Sequence, residues 1–164
     1  MVFCLDGLSK RAALPQLKLG WCSVSGPAPW VNEALRRLEN IADSYLSVAT
    51  PIQRALAELL PHGDVNRLAL LERIRHNRDQ LRTCVAGSAA TLLSLEGGWY
   101  AILRLPETHS ADQWAQLLVD AGVLVQPGWL FDLEGSYVVL SLIVDPLQFE
   151  VGARRLVDCV QRAS

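Results

Sequence analysis

The chain has 164 residues, 51% apolar and 20% charged, with 15 basic against 17 acidic side chains and a formal net charge of -2. That is the length of one domain, or one and a part, with ample material for a core, which excludes a disordered chain. The near-neutral balance leaves no electrostatic footprint for nucleic acid or anionic lipid.

In chain order, residues 1–26 read as strand, loop, strand: "VFCL" from Val2, a Ser9-Lys10 segment, then "LKLGWCSVS" from Leu17. Gly26-Pro27-Ala28-Pro29 is a strong break. Helical periodicity follows in "WVNEALRRLENIADSYL" and in "TPIQRALAELL", where Pro51 suits a first turn. Pro61-His62-Gly63 interrupts the pattern, and Asp64 reads as the N-cap of a longer helix. Its apolar positions Leu70, Leu71, Ile74, Leu81 and Val85 recur at threes and fours, with a gap at Arg78. Arg67, Arg73, Arg75, Arg78 and Arg82, interleaved with Glu72 and Asp79, read as a solvated helix face.

Gly87 opens a zone that alternates strand and helix. "TLLSL" and "WYAILRL" flank Glu96-Gly97-Gly98 and predict a hairpin. Ser110-Ala111-Asp112-Gln113 has the form of a capping box, with Trp114, Leu117, Leu118 and Ala121 on one face. Gly122 closes that helix, and "VLVQPG" and "YVVLSLIV" predict two more strands. Asp145-Pro146-Leu147-Gln148 reads as a cap and first turn, and Phe149, Ala153, Leu156 and Val160 as the buried side of a last helix.

The expected fold class is α+β: a mainly antiparallel sheet covered by helices over 87–164, preceded by long helices over 27–86 and two strands within 1–26. Two strands and a long helix cannot bury their own apolar faces, so the chain reads as the back part of something larger. Cys4, Cys22, Cys84 and Cys159 are scattered, as are His62, His76 and His109, so neither a metal site nor a disulfide scaffold is expected. No basic-then-apolar leader opens the chain and its longest apolar run is too short for a bilayer, so a cytoplasmic protein with reduced thiols is expected.

The run "DGLSKRAALPQLKLGW" places Ser9-Lys10 before a proline-containing apolar stretch, a second lysine eight residues on, and Leu-Gly-Trp. This resembles the cofactor-lysine segment of class I/II aminotransferases, the fold-type I pyridoxal-phosphate enzymes. "SVATPIQRALAELL", "LEGGWYAILRLP" and "LLVDAGVLVQPGWLF" are similar, in the family's order, to its post-linker helix, small-domain hairpin and late helix–strand–Pro-Gly run. The resemblance implies a remnant of the large cofactor-binding domain at 1–26, interdomain helices at 27–86 and a small domain at 87–164. It implies pyridoxal 5'-phosphate as cofactor, Lys10 as the catalytic amine holding it as a Schiff base, and Ser9 and Lys18 as further cofactor contacts. Lys18 stands where the family has an arginine, a point charge in place of a bidentate fork.

The implied reaction is amino-group transfer between an amino acid or amine and a keto acid by a homodimer, with this portion inactive alone. A ligand-sensing domain of a transcriptional regulator and a non-catalytic dimerisation module are the alternatives. Trp99, Trp114 and Trp129 are expected in the core or an interface. Val139 occupies the position of the family's carboxylate-binding arginine, for which Arg104 on the neighbouring strand is a conceivable substitute. Gly7 stands where a hydroxyl residue is frequent.

Overall fold

The computed structural model describes residues 1–163 and divides into two compact units, 1–70 and 71–164. In the first, strands β1 (Val2–Gly7) and β2 (Gly20–Ser25) form an antiparallel pair with Val2 opposite Ser25 and Gly7 opposite Gly20. Both faces of β1 are open: Val2 is 62% and Leu5 81% exposed, although they point to opposite sides. The connection holds α1 (Leu8–Arg11) and a 3-10 turn (Pro15–Leu17). Helix α2 (Ala28–Ala42) starts after the Gly26 break with Pro29 in its first turn. It buries Ala34 alone, leaving Trp30, Leu35 and Ile41 exposed.

Helix α3 (Thr50–Val85) contributes residues 50–70 to the first unit and 71–85 to the second. Pro61-His62-Gly63 does not break it, contrary to the sequence expectation. Proline removes one donor and crowds the preceding turn, which bends a helix more readily than it ends one. The His62 ring lies along the same turn, its Nδ1 2.7 Å from the Glu58 carbonyl.

In the second unit, β3 (Thr91–Leu92), β4 (Tyr100–Arg104), β5 (Gln126–Pro127) and β6 (Tyr137–Ser141) form an antiparallel sheet in the order β3-β4-β6-β5. The expected hairpin is β3–β4, with Thr91 opposite Arg104 and Leu92 opposite Leu103. Helix α4 (Ala111–Asp120), the second half of α3, and α5 (Pro146–Ala163) supply Trp114, Leu118, Leu81, Leu156 and Val160 to a core that includes Ala101, Leu103, Val138 and Leu140. This is the α+β arrangement the periodicities predict.

Of the three predicted caps, Asp64 instead lies within the continuous α3 and caps nothing, while those at Ser110 and Asp145 form. Ser110 Oγ accepts from Gln113 N–H at 3.3 Å while Gln113 Oε1 accepts from Ser110 N–H at 2.8 Å. Asp145 Oδ1 accepts from Leu147 N–H at 3.0 Å. Ser110→Ala strips one half of a reciprocal pair and is expected to cost about 1 kcal/mol, read as a lower urea midpoint at unchanged slope.

Trp114 is fully buried, its indole donating to the Pro106 carbonyl at 2.9 Å. Trp99 is half-buried. Trp129 lies outside the core: it is 55% exposed and donates to Asp112 Oδ1 at 2.8 Å. The four cysteines are unbridged, and among the described residues no cluster of metal-ligating side chains occurs. No helix among them is long and apolar enough to cross a membrane.

Candidate functional site

The lysine-bearing loop is closed at its neck by backbone. Gly7 faces Gly20, and Leu8 N–H donates to the Leu19 carbonyl at 2.9 Å. The neck is so tight that a Cβ on Gly7 would stand 2.9 Å from that carbonyl oxygen, which accounts for glycine at this position. Helix α1 is a single turn. The N–H groups of Ala12 and Leu14 both donate to the Leu8 carbonyl, at 3.1 and 3.0 Å, with Ala13 left-handed at φ 53° between them. The chain then passes through the 3-10 turn to Lys18, itself left-handed at φ 51° and ψ 43°. The strand starts only at Gly20. Lys18 therefore caps the loop instead of extending the strand, as the alternation of "LKLGW" suggests.

Which way the amine projects follows from helical spacing. Leu8 and Ala12, four residues apart, lie on one face of the turn and are both fully buried. With Leu19 they form a small core against Ile52, Leu56, Leu59 and Leu60 of α3. Lys10 lies two residues from each, on the opposite side of the turn, and is exposed. Ser9 is half-buried beside it and Lys18 is exposed. These are the two lysines of the 164 residues, against 13 arginines, and both sit in this one loop.

The donor set fits pyridoxal phosphate chemically. A primary amine stands on a held turn for the aldehyde, and a second ammonium and a hydroxyl in the same loop suit the phosphate. Grooves of about 450, 430 and 360 Å³ occur elsewhere, and none of the three is lined by Ser9, Lys10 or Lys18.

In the second unit Val139 is central in β6 and 1% exposed, opposite Ile102 of β4 and Gln126 of β5. It lies on the sheet face away from Val138 and Leu140, which enter the helix-covered core. Arg104 is two residues along β4 from Ile102, hence on the Val139 face and diagonal to it, and is exposed. It is the one arginine in the strands of this sheet.

Two residues outside the motif carry the local architecture. Gly63, buried in α3, meets the lysine turn at Ala12. Asn77, fully buried, donates from Nδ2 to the carbonyls of Leu142 and Val144 at 2.9 and 2.8 Å. Asn77 left a signal in the sequence, a polar residue within the Ile74–Leu81 apolar stripe; Gly63 was hidden behind its neighbouring proline.

Residues 1–142 match the family described as aminotransferase class I and II. A capreomycidine synthase of Streptomyces vinaceus is 33% identical over 133 residues, 79% of this chain and 33% of that protein. A probable N-succinyldiaminopimelate aminotransferase from Thermus thermophilus superposes with TM-score 0.82 at 25% identity, over 96% of this chain and 42% of that one. An aromatic aminotransferase from Pyrococcus horikoshii shares the fold with TM-score 0.80 at 19% identity, over 98% of this chain and 43% of that one. The chain thus spans about a third of that curated relative's length and about two fifths of those two solved structures. With its mixed helix and antiparallel-sheet fold, it belongs to the class I and II aminotransferases.

Proposed function

We propose that this chain provides the attachment lysine and the smaller lobe of a pyridoxal-phosphate-dependent aminotransferase, moving an amino group between an amino acid or amine and a keto acid. The observation that carries the reading is Lys10 on a turn packed from below by Leu8 and Ala12, in a chain of this family. Lys10 would hold the cofactor at its aldehyde carbon, and its Nζ would carry the proton that leaves the substrate α-carbon. When bound, the cofactor supplies the electron-withdrawing ring that stabilises charge at the α-carbon. Lys18 neutralises phosphate charge without a fork, and the Ser9 hydroxyl donates a hydrogen bond to the same group.

The domains read as 1–26 from the cofactor-binding lobe, 27–86 as linking helices and 87–164 as the small lobe. A larger α/β lobe completes the pocket. The uncovered apolar residues Val2, Leu5, Trp30 and Ile41 suit that lobe and a homodimer partner. A cytoplasmic location agrees with the four unbridged thiols. With valine at 139, the substrate carboxylate finds its cation at Arg104 or in the complementing lobe.

The test is a single turnover without added keto acid. Holoprotein mixed with a panel of amino acids and amines is expected to yield one equivalent each of carbonyl product and aminated cofactor. Release of carbon dioxide or racemised amino acid in their place would assign a different α-carbon reaction.

A further inference from the structure

We propose that Gly63 is a positioning residue for Lys10, acting through Ala12; the inference rests on Lys10 being the cofactor-attachment amine. Gly63 lies inside α3, where glycine is the poorest helix former after proline. Close approach accounts for its presence. A Cβ at this position would lie 2.2 Å from Ala12 Cβ, 2.8 Å from Ala12 Cα and 3.0 Å from the Ala12 carbonyl oxygen. Two of those three atoms are backbone, so no side-chain rotation relieves the clash.

Ala12 is fully buried and caps the single turn that carries Lys10. That turn is tied at both ends, by the Leu8–Leu19 bond and by the paired donors to the Leu8 carbonyl. Crowding from below therefore displaces the turn as a body, away from α3, carrying Lys10 on its outer side with it. The bare backbone at Gly63 sets the height at which the amine stands. Gly152, inside α5, offers the contrast: a Cβ there meets nothing within 4 Å.

The experiment uses the holoprotein and compares wild type, Gly63→Ala, Ala12→Gly and Gly152→Ala. Three readouts are taken: circular dichroism, pyridoxal phosphate retained on dialysis, and pyridoxyl label fixed on Lys10 by borohydride and mapped by mass spectrometry. Gly63→Ala is expected to keep its helical signal while retention and Lys10 label fall roughly tenfold to a hundredfold, the scale on which ångström misplacement is penalised. Gly152→Ala is expected to match wild type in both. A folded Gly63→Ala protein with wild-type label on Lys10 overturns the proposal.

If Gly63→Ala does not fold, Ala12→Gly decides, because it opens the same contact without adding bulk. Reduced label supports the positioning role and unchanged label overturns it. Wild-type protein without label on Lys10 would bring down the cofactor reading and this inference together. Labelled wild type with indifferent variants removes this inference alone.

Discussion

Lys10→Ala is expected to eliminate covalent attachment of pyridoxal phosphate, and with it turnover, by at least the roughly 10²–10⁴-fold that a positioned acid–base group supplies. The amine does two jobs in the proposed reaction, holding the aldehyde and shuttling the α-proton, so its loss exceeds that of either role alone. Lys10→Arg is expected to be as inactive, because a guanidinium stays protonated and cannot add to an aldehyde. Lys18→Ala is expected to weaken cofactor retention while leaving the label on Lys10, since a phosphate contact is lost but the nucleophile is not. The composition makes the assay clean. Lys10 and Lys18 are the two lysines of this segment, so a borohydride-fixed pyridoxyl group within it maps to one of two peptides. A Lys10→Ala protein carrying a full equivalent of label on Lys18 would move the chemistry to the other lysine and refute the assignment.

The readable parts of this fold are those whose causes are local. The Ser110–Gln113 reciprocal cap and the Asp145 cap depend on residues within four positions of one another, and both form where the residue types require. The Trp114–Leu118 and Phe149–Val160 stripes are likewise consequences of helical spacing. Where distant residues decide, local signals mislead. Pro61 and Gly63 both carry breaker character, yet α3 continues through them; glycine is present because Ala12 packs against it from 51 positions earlier. Lys18 sits in an alternating run that looks like strand, but its left-handed backbone ends the loop before pairing starts at Gly20. The motif around Lys10 was legible as residue types. Its standing on α3 was not, since nothing in "DGLSKRAALPQLKLGW" says what lies underneath.

Asn77→Asp is expected to destabilise the second unit by about 3 kcal/mol or more near neutral pH, and by less in mild acid. Asn77 is 0% exposed, and both donors of its amide are used, on the Leu142 and Val144 carbonyls where β6 gives way to α5. Those two acceptors fix the amide orientation and leave Oδ1 without a partner, so the side chain is present for its donors. A carboxylate reverses this: the charged oxygen in place of Nδ2 would face both carbonyl oxygens, and the other would lie unpaired in a dry site. Arg73 spends an Nη1 hydrogen bond on the Ile143 carbonyl at 3.3 Å, and Arg78 is paired with Asp79. Burial and carbonyl repulsion raise the folded-state pKa of the new acid above its unfolded value of about 3.9. Between those two pKa values the folded state binds more protons than the unfolded one. Stability relative to wild type therefore falls as pH rises, by about 1.4 kcal/mol per unit. Asn77→Leu separates the charge from the lost donors: it should cost about 2–3 kcal/mol with no pH dependence, because the two carbonyls are orphaned but no ionisable group is added. Urea unfolding of the three proteins at pH 5 and pH 7.5 distinguishes these effects. An Asn77→Asp deficit identical at both pH values would mean that the new carboxyl is solvated, and that the strand end opens to water when this clamp is altered.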